Sequence, residues 1–466
     1  MLAEALRLTT SQEDIDELTA QLEAELKECE ATTVSYKNKL KQFMMENDIW
    51  QISELNYYWR EKYCEYLKNR MSKTSCELYI KTFDRVKLHS LRKQPQIILA
   101  GKRQRLEYAD EILYLPYHPN IEIAERFCRE NNKNLLAWDF TLIAAEKLKR
   151  QIFQVLHYFI ENAANSERMH AQLGGLARLY DFCILEQIED LEKLEIDQIE
   201  RFQKTFTTEY QRHYYAGVTY WCGRALFMEA EEIHWDANVW YMERMHLQPE
   251  RIDPAAPIMS LSFAEVTNKE NRKLLQKYLR YGIGIANLSI SSLRTEFLVV
   301  RKFLGDMNQP ETENICMVTE QQMDAWLRSE QQREVQADTF NKKVMCILHF
   351  FQYLQIKDYI TAIPFDPNYY LKKTFMQHHD RSVAQETMDQ IRRNLYRFPE
   401  EVRLMYLHLW GVGLRISEVC TLKGNAYYLQ GKDAWIQVYQ IKMRTYKRIP
   451  IPMTLYRLMQ VYITKY

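Results

Sequence analysis

WGVGLRISEVCTL, residues Trp410 to Leu422, places one arginine, Arg415, just after two glycines in an apolar run. The preceding EEVRLMYLHLW (Glu400 to Trp410) is apolar on most sides and predicts a buried helix. Gly411 and Gly413 end that helix and let the backbone turn tightly. Ser417 and Glu418 open the next helix, whose Val419 and Leu422 return to the core. Arg415 is thereby held on a rigid corner between two packed helices. A guanidinium there is a planar, always-charged fork suited to phosphate oxygens. A local carboxylate such as Glu418 is the alternative partner, and both readings stay open. A dinucleotide loop is excluded. In GVGLRI the sixth position is Ile416 where a third glycine is needed, and a helix precedes it rather than a strand. No Walker loop, His-Glu-x-x-His or Gly-x-Ser-x-Gly occurs.

The pattern changes after Gly431. AWIQVYQI (Ala434 to Ile441) is rich in β-branched and aromatic residues and predicts a strand. KMRTYK (Lys442 to Lys447) reads as a polar turn, and RIPIP (Arg448 to Pro452) as a second short strand whose prolines suit an edge. Thr454 then caps a last helix, LYRLMQVYITKY. The result is a small β-hairpin with a strongly cationic tip: Lys442, Arg444, Lys447 and Arg448.

The whole chain has 466 residues, enough for several domains, with 47% hydrophobic and 27% charged residues, as in a globular protein. The formal net charge is zero, yet Leu371 to Tyr466 holds 16 Lys and Arg against 7 Asp and Glu. That basic end predicts a polyanion partner; ordinary surface charge is the alternative. Nine cysteines occur without a Cys-x-x-Cys pair and mostly in apolar helical contexts. They predict buried free thiols in a reducing cytosol rather than disulfides or a zinc site, so no metal is expected. Neither a signal peptide nor a membrane-spanning run is found, and a cytoplasmic location is expected.

Helical periodicity dominates upstream. DIDELTAQLEAELKECE (Asp14 to Glu30) is an acidic amphipathic helix, read as packing on its own chain or on a partner helix. A break from Lys93 to Asn120 reads as a linker with one or two short strands, and helices are expected again from Trp138. QPERIDPAAPIMS (Gln248 to Ser260) marks a second boundary, and TAIPFDPNYYLKK (Thr361 to Lys373) an interdomain linker. Three stretches share a weak pattern, a helix with an aromatic followed by a helix anchored by another: Phe43 with Tyr63, Phe182 with Phe202, Phe303 with Trp326. Three related helical modules would explain the length; chance similarity among amphipathic helices is the alternative.

GLRISEVCTL, a hairpin with lysine at its turn, RIPIP and a helix together resemble the tyrosine recombinase (phage integrase) family. The resemblance covers roughly His378 to Tyr466 and includes HHDRSVAQETMDQI, similar to the lead-in helix of that catalytic domain. SISSLRTEFLVVRKFLGDM and ADTFNKKVMCILHFFQYL resemble the family's helical core-binding domain. The resemblance implies a mainly α chain. Its segments would be an acidic helix (1–33), an N-terminal helical module with linker (34–135) and a middle module (136–268). A SAM-like core-binding domain (269–371) and the first part of an α+β catalytic domain with the β-hairpin (372–466) would follow.

The implied activity is site-specific DNA recombination through a 3′-phosphotyrosyl intermediate, with no cofactor. Arg415 matches the first catalytic arginine and Lys442 the hairpin lysine that protonates the leaving 5′ oxygen, with Arg444 as a rival for that role. Lys342 and Lys343, on the core-binding helix, join Arg444, Lys447 and Arg448 as expected DNA contacts, and two lobes are expected to clamp duplex DNA. Self-association or other recombinase subunits on DNA are implied; a membrane is not. The family also needs a His-x-x-Arg pair and a nucleophilic tyrosine. No histidine follows Arg415, and Tyr462 and Tyr466 fall where an early helix belongs. The expectation is therefore an amino-terminal part of a longer, transposon-type recombinase. The alternative is a DNA-binding protein that keeps the recombinase platform without its chemistry.

Overall fold

The computed structural model describes residues 12–466 except 30–32, 69, 94–97, 100–101, 104–105, 131, 254–255, 286–287, 308, 311, 334, 376–381, 441–442 and 444. The chain forms two compact units. One comprises Met1–Leu191 with Asp197–Leu226, the other Glu192–Ile196 with Phe227–Tyr466.

The first unit begins with helices α1 (Gln12–Glu28), α2 (Val34–Glu46), α3 (Tyr57–Lys68) and α4 (Lys73–Lys93). Leu22 and Leu26 of α1 are buried with Phe43, Tyr63 and Phe83, so the acidic helix packs on its own chain. Strands β1 (Ile98–Leu99) and β2 (Lys102–Arg103) pair antiparallel. Strand β3 (Ile112–Tyr114), helix α5 (Ile121–Cys128) and strand β4 (Ala137–Asp139) follow, and β3 pairs antiparallel with β4. Helices α6 (Glu146–Asn162), α7 (Ser166–Leu185), α8 (Ile196–Lys204), α9 (Glu209–Tyr214) and α10 (Val218–Glu229) come next.

In the second unit β5 (Val239–Tyr241) pairs with β6 (Ser260–Ser262) ahead of α11 (Lys269–Gly284), α12 (Ile290–Met307), α13 (Glu320–Gln332) and α14 (Ala337–Ile356). These four helices share one core around Phe297, Phe303, Phe350 and Phe351. The carboxyl-terminal elements have a separate core. They are α15 (Gln385–Asn394), α16 (Glu400–Leu407), α17 (Ile416–Cys420), β7 (Tyr427–Gln430), β8 (Asp433–Gln440), β9 (Thr445–Ile451) and α18 (Met453–Lys465).

The three aromatic pairs are in contact. Ring centroids lie 4.9 Å apart for Phe43–Tyr63, 5.3 Å for Phe182–Phe202 and 4.9 Å for Phe303–Trp326. Local geometry repeats with them. Helices α2 and α7 end in the same Schellman arrangement, with left-handed Asp48 (φ 56°) and Gln187 (φ 54°). The next amides, Ile49 and Ile188, reach back to Met44 O at 2.9 Å and Cys183 O at 2.8 Å. A single 3-10 turn then follows at Ile52–Glu54, Leu191–Lys193 and, after α12, Ile315–Met317. Its apolar positions are buried each time: Ile52 and Leu55, Leu191 and Leu194, Ile315 and Val318.

The boundaries differ from expectation in definite ways. Helix α5 interrupts the supposed helix-free stretch, because Asn120 caps it by accepting from the Glu122 amide at 3.1 Å. Trp138 lies in β4, not in a helix; its buried indole donates to Leu135 O at 3.2 Å. The proline-rich Gln248–Ser260 stretch follows β5 and ends at the first residue of its partner strand β6. The Thr361–Lys373 segment is pinned to the four-helix core by buried Phe365, by Tyr370 donating to Asp324 at 3.0 Å, and by the Lys372 amide donating to Asn341 at 2.8 Å. Of the cysteines, Cys128 and Cys420 are exposed and Cys64 and Cys316 partly exposed, rather than buried. Among the described residues no helix is long and apolar enough to cross a membrane.

Two polar networks hold the second unit. Arg272 is 5% exposed. Its guanidinium grips both oxygens of Glu195 at 2.8 and 2.6 Å, Asn238 Oδ1 at 2.7 Å and Val266 O at 2.9 Å. Glu296 accepts from the Tyr278 hydroxyl at 2.6 Å and faces His349 Nδ1 at 3.2 Å. The hydrogen bond to Glu296 raises the His349 pKa above 6.5. Burial pushes Glu296 up, but its bonds to His349 and Tyr278 outweigh that and hold it below 4.5.

Replacing Arg272 with Met leaves Asn238, Val266 O and Glu195 without their shared donor. Urea titration of the variant should show a loss of about 3 kcal/mol; a loss under about 1 kcal/mol would contradict the role given to this arginine. The His349–Glu296 pair predicts a pH window. Raised His349 stabilises fully below its ordinary 6.5 and loses its effect as pH rises through the folded value. Depressed Glu296 stabilises above its ordinary 4.5 and loses its effect as pH falls through the folded value. The stability difference between the parent and His349→Gln should peak between pH 4.5 and 6.5; a flat difference across pH 4 to 9 would exclude the pair as a contributor.

Candidate nucleic-acid interface

Helix α16 passes directly into a π-helical turn at His408–Val412 and stops at Gly413, whose φ of 70° is left-handed. The helix is less buried than expected. Leu404 and His408 are enclosed, whereas Val402 and Trp410 are about half exposed. His408 anchors the corner from inside. Its Nδ1 faces Leu404 O at 2.6 Å and its Nε2 faces the Tyr427 hydroxyl at 2.8 Å, which ties α16 to β7. Burial lowers the His408 pKa, which favours the neutral ring in this bridge. Sequence reasoning missed this residue; its position seven residues before Arg415, in the apolar run Leu404 to Trp410, was the available signal.

Arg415 stands at the N-cap of α17 with an extended backbone (ψ 155°). Glu418, one turn on, reaches back to it twice. Oε2 accepts from the Arg415 amide at 2.9 Å and Oε1 from Nη1 at 2.7 Å. An arginine side chain has no acceptor, so only the carboxylate half of a capping box forms here. The Arg415 side chain is 58% exposed and that of Glu418 only 5%. Burial pushes the Glu418 carboxyl up, but hydrogen bonds from the Arg415 amide, the Arg415 guanidinium and Gln440 together hold it below its ordinary value. The two readings of Arg415 are thus compatible. One nitrogen is held by Glu418, and the exposed head is aimed by that hold.

The carboxylate also reaches the sheet. Glu418 Oε1 lies 3.4 Å from Nε2 of Gln440, the last residue of β8. Strands β7, β8 and β9 form a three-stranded antiparallel sheet in that order. The sequence reading missed β7, which Gly431 (φ 62°) and Lys432 connect to β8 in a two-residue turn. Ala434, Ile436 and Val438 face the core, with Ile451 opposite Ala434 and Ile449 opposite Ile436. Strand β9 begins at Thr445, opposite Gln440, so the loop is shorter than read. Lys447 and Arg448 therefore belong to the strand, opposite Val438 and Gln437, and both are exposed. Lys442 and Arg444 lie outside the described residues. What is described is the base of their loop: Gln440, against Glu418, and Thr445.

The two expected contacts on α14 separate. Lys342 is exposed. Lys343 Nζ lies 2.5 Å from Oε2 of Glu330, a carboxylate with a side-chain exposure of 1% that also holds Lys302 at 3.2 Å and Arg333 at 2.7 Å. Lys343 thus neutralises a buried acid. Tyr462 is half-buried against Tyr466, with ring centroids 5.0 Å apart.

Comparison with known proteins gives distant relatives. The chain is 22% identical over 231 residues to transposase B from transposon Tn554 of Staphylococcus aureus strains Mu50 and N315, and equally to transposase B from transposon PsiTn554 of Staphylococcus aureus. The similar stretch is 48% of this chain and 36% of each relative, so the chain matches about a third of their length. No family model matches the chain. No solved structure matches it. The distant homology is to transposon-encoded transposases.

Proposed function

We propose that the chain works in DNA recombination as a transposon-encoded recombinase of the tyrosine type. In this reading it grips duplex DNA and presents Arg415 to a phosphodiester. The observation that carries the reading is the double hold of Glu418, on Arg415 and on Gln440 at the foot of the hairpin loop. That carboxylate couples the arginine corner to the strand that leads into Lys442. The similarity to transposase B supports the same reading.

The chemistry follows from the groups. A phosphodiester under attack gains charge on its non-bridging oxygens. A guanidinium fixed before the substrate arrives stabilises that charge without reorganising, an effect of about 2.7–4 kcal/mol per donor. A lysine on a hairpin loop can protonate the leaving 5′ oxygen, the role assigned to Lys442. Lys342, Lys447 and Arg448 supply phosphate contacts that set register and affinity. Subunits are proposed to associate on DNA, since strand exchange joins two duplexes. The proposal gives Arg415 charge stabilisation and Lys442 proton donation, and assigns no nucleophile.

Duplex binding is the first test. Affinity should fall linearly on a log–log salt plot by about 0.9 per phosphate neutralised, and Lys447→Gln with Arg448→Gln should flatten the slope by about 2. Salt-insensitive binding, or none at low salt, would sink the reading. A nicked suicide duplex should trap no covalent adduct on this chain; a 3′-phosphotyrosine mapped to Tyr462 or Tyr466 would reverse the assignment of those residues.

Arg415 and Glu418 separate catalysis from structure. In a fusion that supplies a His-x-x-Arg pair and a tyrosine nucleophile, Arg415→Lys should lose strand cleavage by about a hundredfold or more while keeping most affinity, because lysine cannot fork two oxygens. Glu418→Gln should keep the amide cap in part, lower the melting temperature by a few degrees and weaken cleavage less than Arg415→Lys. Wild-type cleavage by Arg415→Lys would instead favour a DNA-binding platform without chemistry.

A further inference from the structure

The second unit contains a groove that the recombinase reading does not use. Its volume is about 750 Å³, and it opens between α11, the end of α14 and the segment from Ile233 to Arg251. Three exposed cations line it: Lys277 and Arg280, one turn apart on α11, and Lys357, just past α14. Among its described lining residues none is acidic.

These cations are held by rings rather than carboxylates. The Arg280 guanidinium lies 4.8 Å from the Trp235 ring centroid. Lys277 lies 5.2 Å from the Tyr359 ring and donates to its hydroxyl at 3.0 Å. Lys357 lies 5.8 Å from the Tyr281 ring. An aromatic face positions a cation without cancelling its charge. The contrast with Lys302, Arg333 and Lys343, which converge on the buried Glu330, is direct. Arg251 closes the groove from below. It donates to Leu288 O at 2.9 Å, Ile283 O at 2.7 Å and Gly282 O at 3.3 Å, and so covers the negative end of α11.

We propose that this groove binds the phosphodiester backbone of a nucleic acid, as a site separate from Arg415, Lys342 and the hairpin. Three uncancelled cations in one concave surface suit a run of phosphates better than a single anion. The apolar walls between them, Ile233, Leu247 and Ile283, suit sugar and base edges. An unpaired strand and a duplex carry the same phosphodiester chemistry, and the experiment separates them.

The full chain is tested as the triple variant Lys277→Glu, Arg280→Glu, Lys357→Glu, with the neutral pair Lys277→Gln, Lys357→Gln as a milder second variant that leaves Arg280 on Trp235. Fluorescence anisotropy follows a labelled single-stranded oligonucleotide and a duplex of equal length across a salt series. The triple variant should lose about tenfold or more in affinity for at least one of them, and its log–log salt slope should flatten by about 2 to 3. A loss confined to the single strand assigns an unpaired backbone, a loss confined to the duplex assigns double-stranded DNA, and a shared loss assigns the phosphodiester backbone that both carry. The neutral pair should flatten the slope by about 1 to 2. Parent-like affinity and slope for both ligands in a variant that melts like the parent overturn the proposal. So does a polyglutamate peptide that binds the parent more tightly than either oligonucleotide and loses that affinity in the variants. Lys447→Gln with Arg448→Gln is measured in parallel. If only that pair leaves binding intact, the recombinase platform fails and the groove stands; if only the groove variants leave binding intact, the reverse holds.

Discussion

The candidate site depends on one buried carboxylate. Glu418 closes the first turn of α17 on the Arg415 amide, holds the guanidinium by Nη1 and touches Gln440 at the end of β8. Burying an acid is unfavourable unless its oxygens are bonded. Here three donors from two segments meet that need, and their positions are fixed in return. The arginine head remains 58% exposed while its backbone and one nitrogen are anchored. A cation prepared in this way needs little rearrangement to receive charge, which is what preorganised stabilisation requires. The buried His408–Tyr427 bridge completes the corner by tying α16 to β7.

The helical part of the fold was legible because aromatic spacing is a long-range signal. Phe43, Phe182 and Phe303 each meet the aromatic that the sequence pairs with them. Between the partners of the first two pairs lie the same punctuation marks: a left-handed residue at Asp48 or Gln187, an isoleucine tucked under the helix end, then a short turn with two buried apolar positions, a turn the third pair shares. The left-handed residues are Asp and Gln, not glycine. A search for Gly at helix ends passes over them, because the Schellman bonds and the buried isoleucine stabilise the turn instead.

What sequence missed was set by context rather than propensity. YYLQ, the whole of β7, is short and lacks alternation; it becomes a strand because Gly431 turns it onto β8. Helix α5 covers only eight residues, begins just past the last proline of the Lys93 to Asn120 stretch, Pro119, and is capped by Asn120. The Arg415 corner was read from its glycines and from Glu418, and both features are present. Lys447 was given to a turn because KMRTYK is polar, yet the strand begins at Thr445 and pairs Lys447 with Val438. Polarity marks an exposed edge as readily as a loop, and only the partner strand tells them apart.

Counting charges is a poor guide to where an anion binds, and this chain shows the reason. Its totals cancel, 62 Lys and Arg against 62 Asp and Glu. What differs from place to place is how each cation is held. Arg272 on Glu195 and Lys343 on Glu330 sit in ion pairs whose fields largely cancel at a distance. Arg280 on Trp235 and Lys357 on Tyr281 contact rings instead, and no opposite charge is placed beside them by that contact. Arg415 is intermediate, with one nitrogen on a carboxylate and the rest of its head exposed. The strength of a basic surface therefore follows from the partners of its cations. By that measure Arg280 and Lys357 keep charge that Lys343, paired with Glu330, does not.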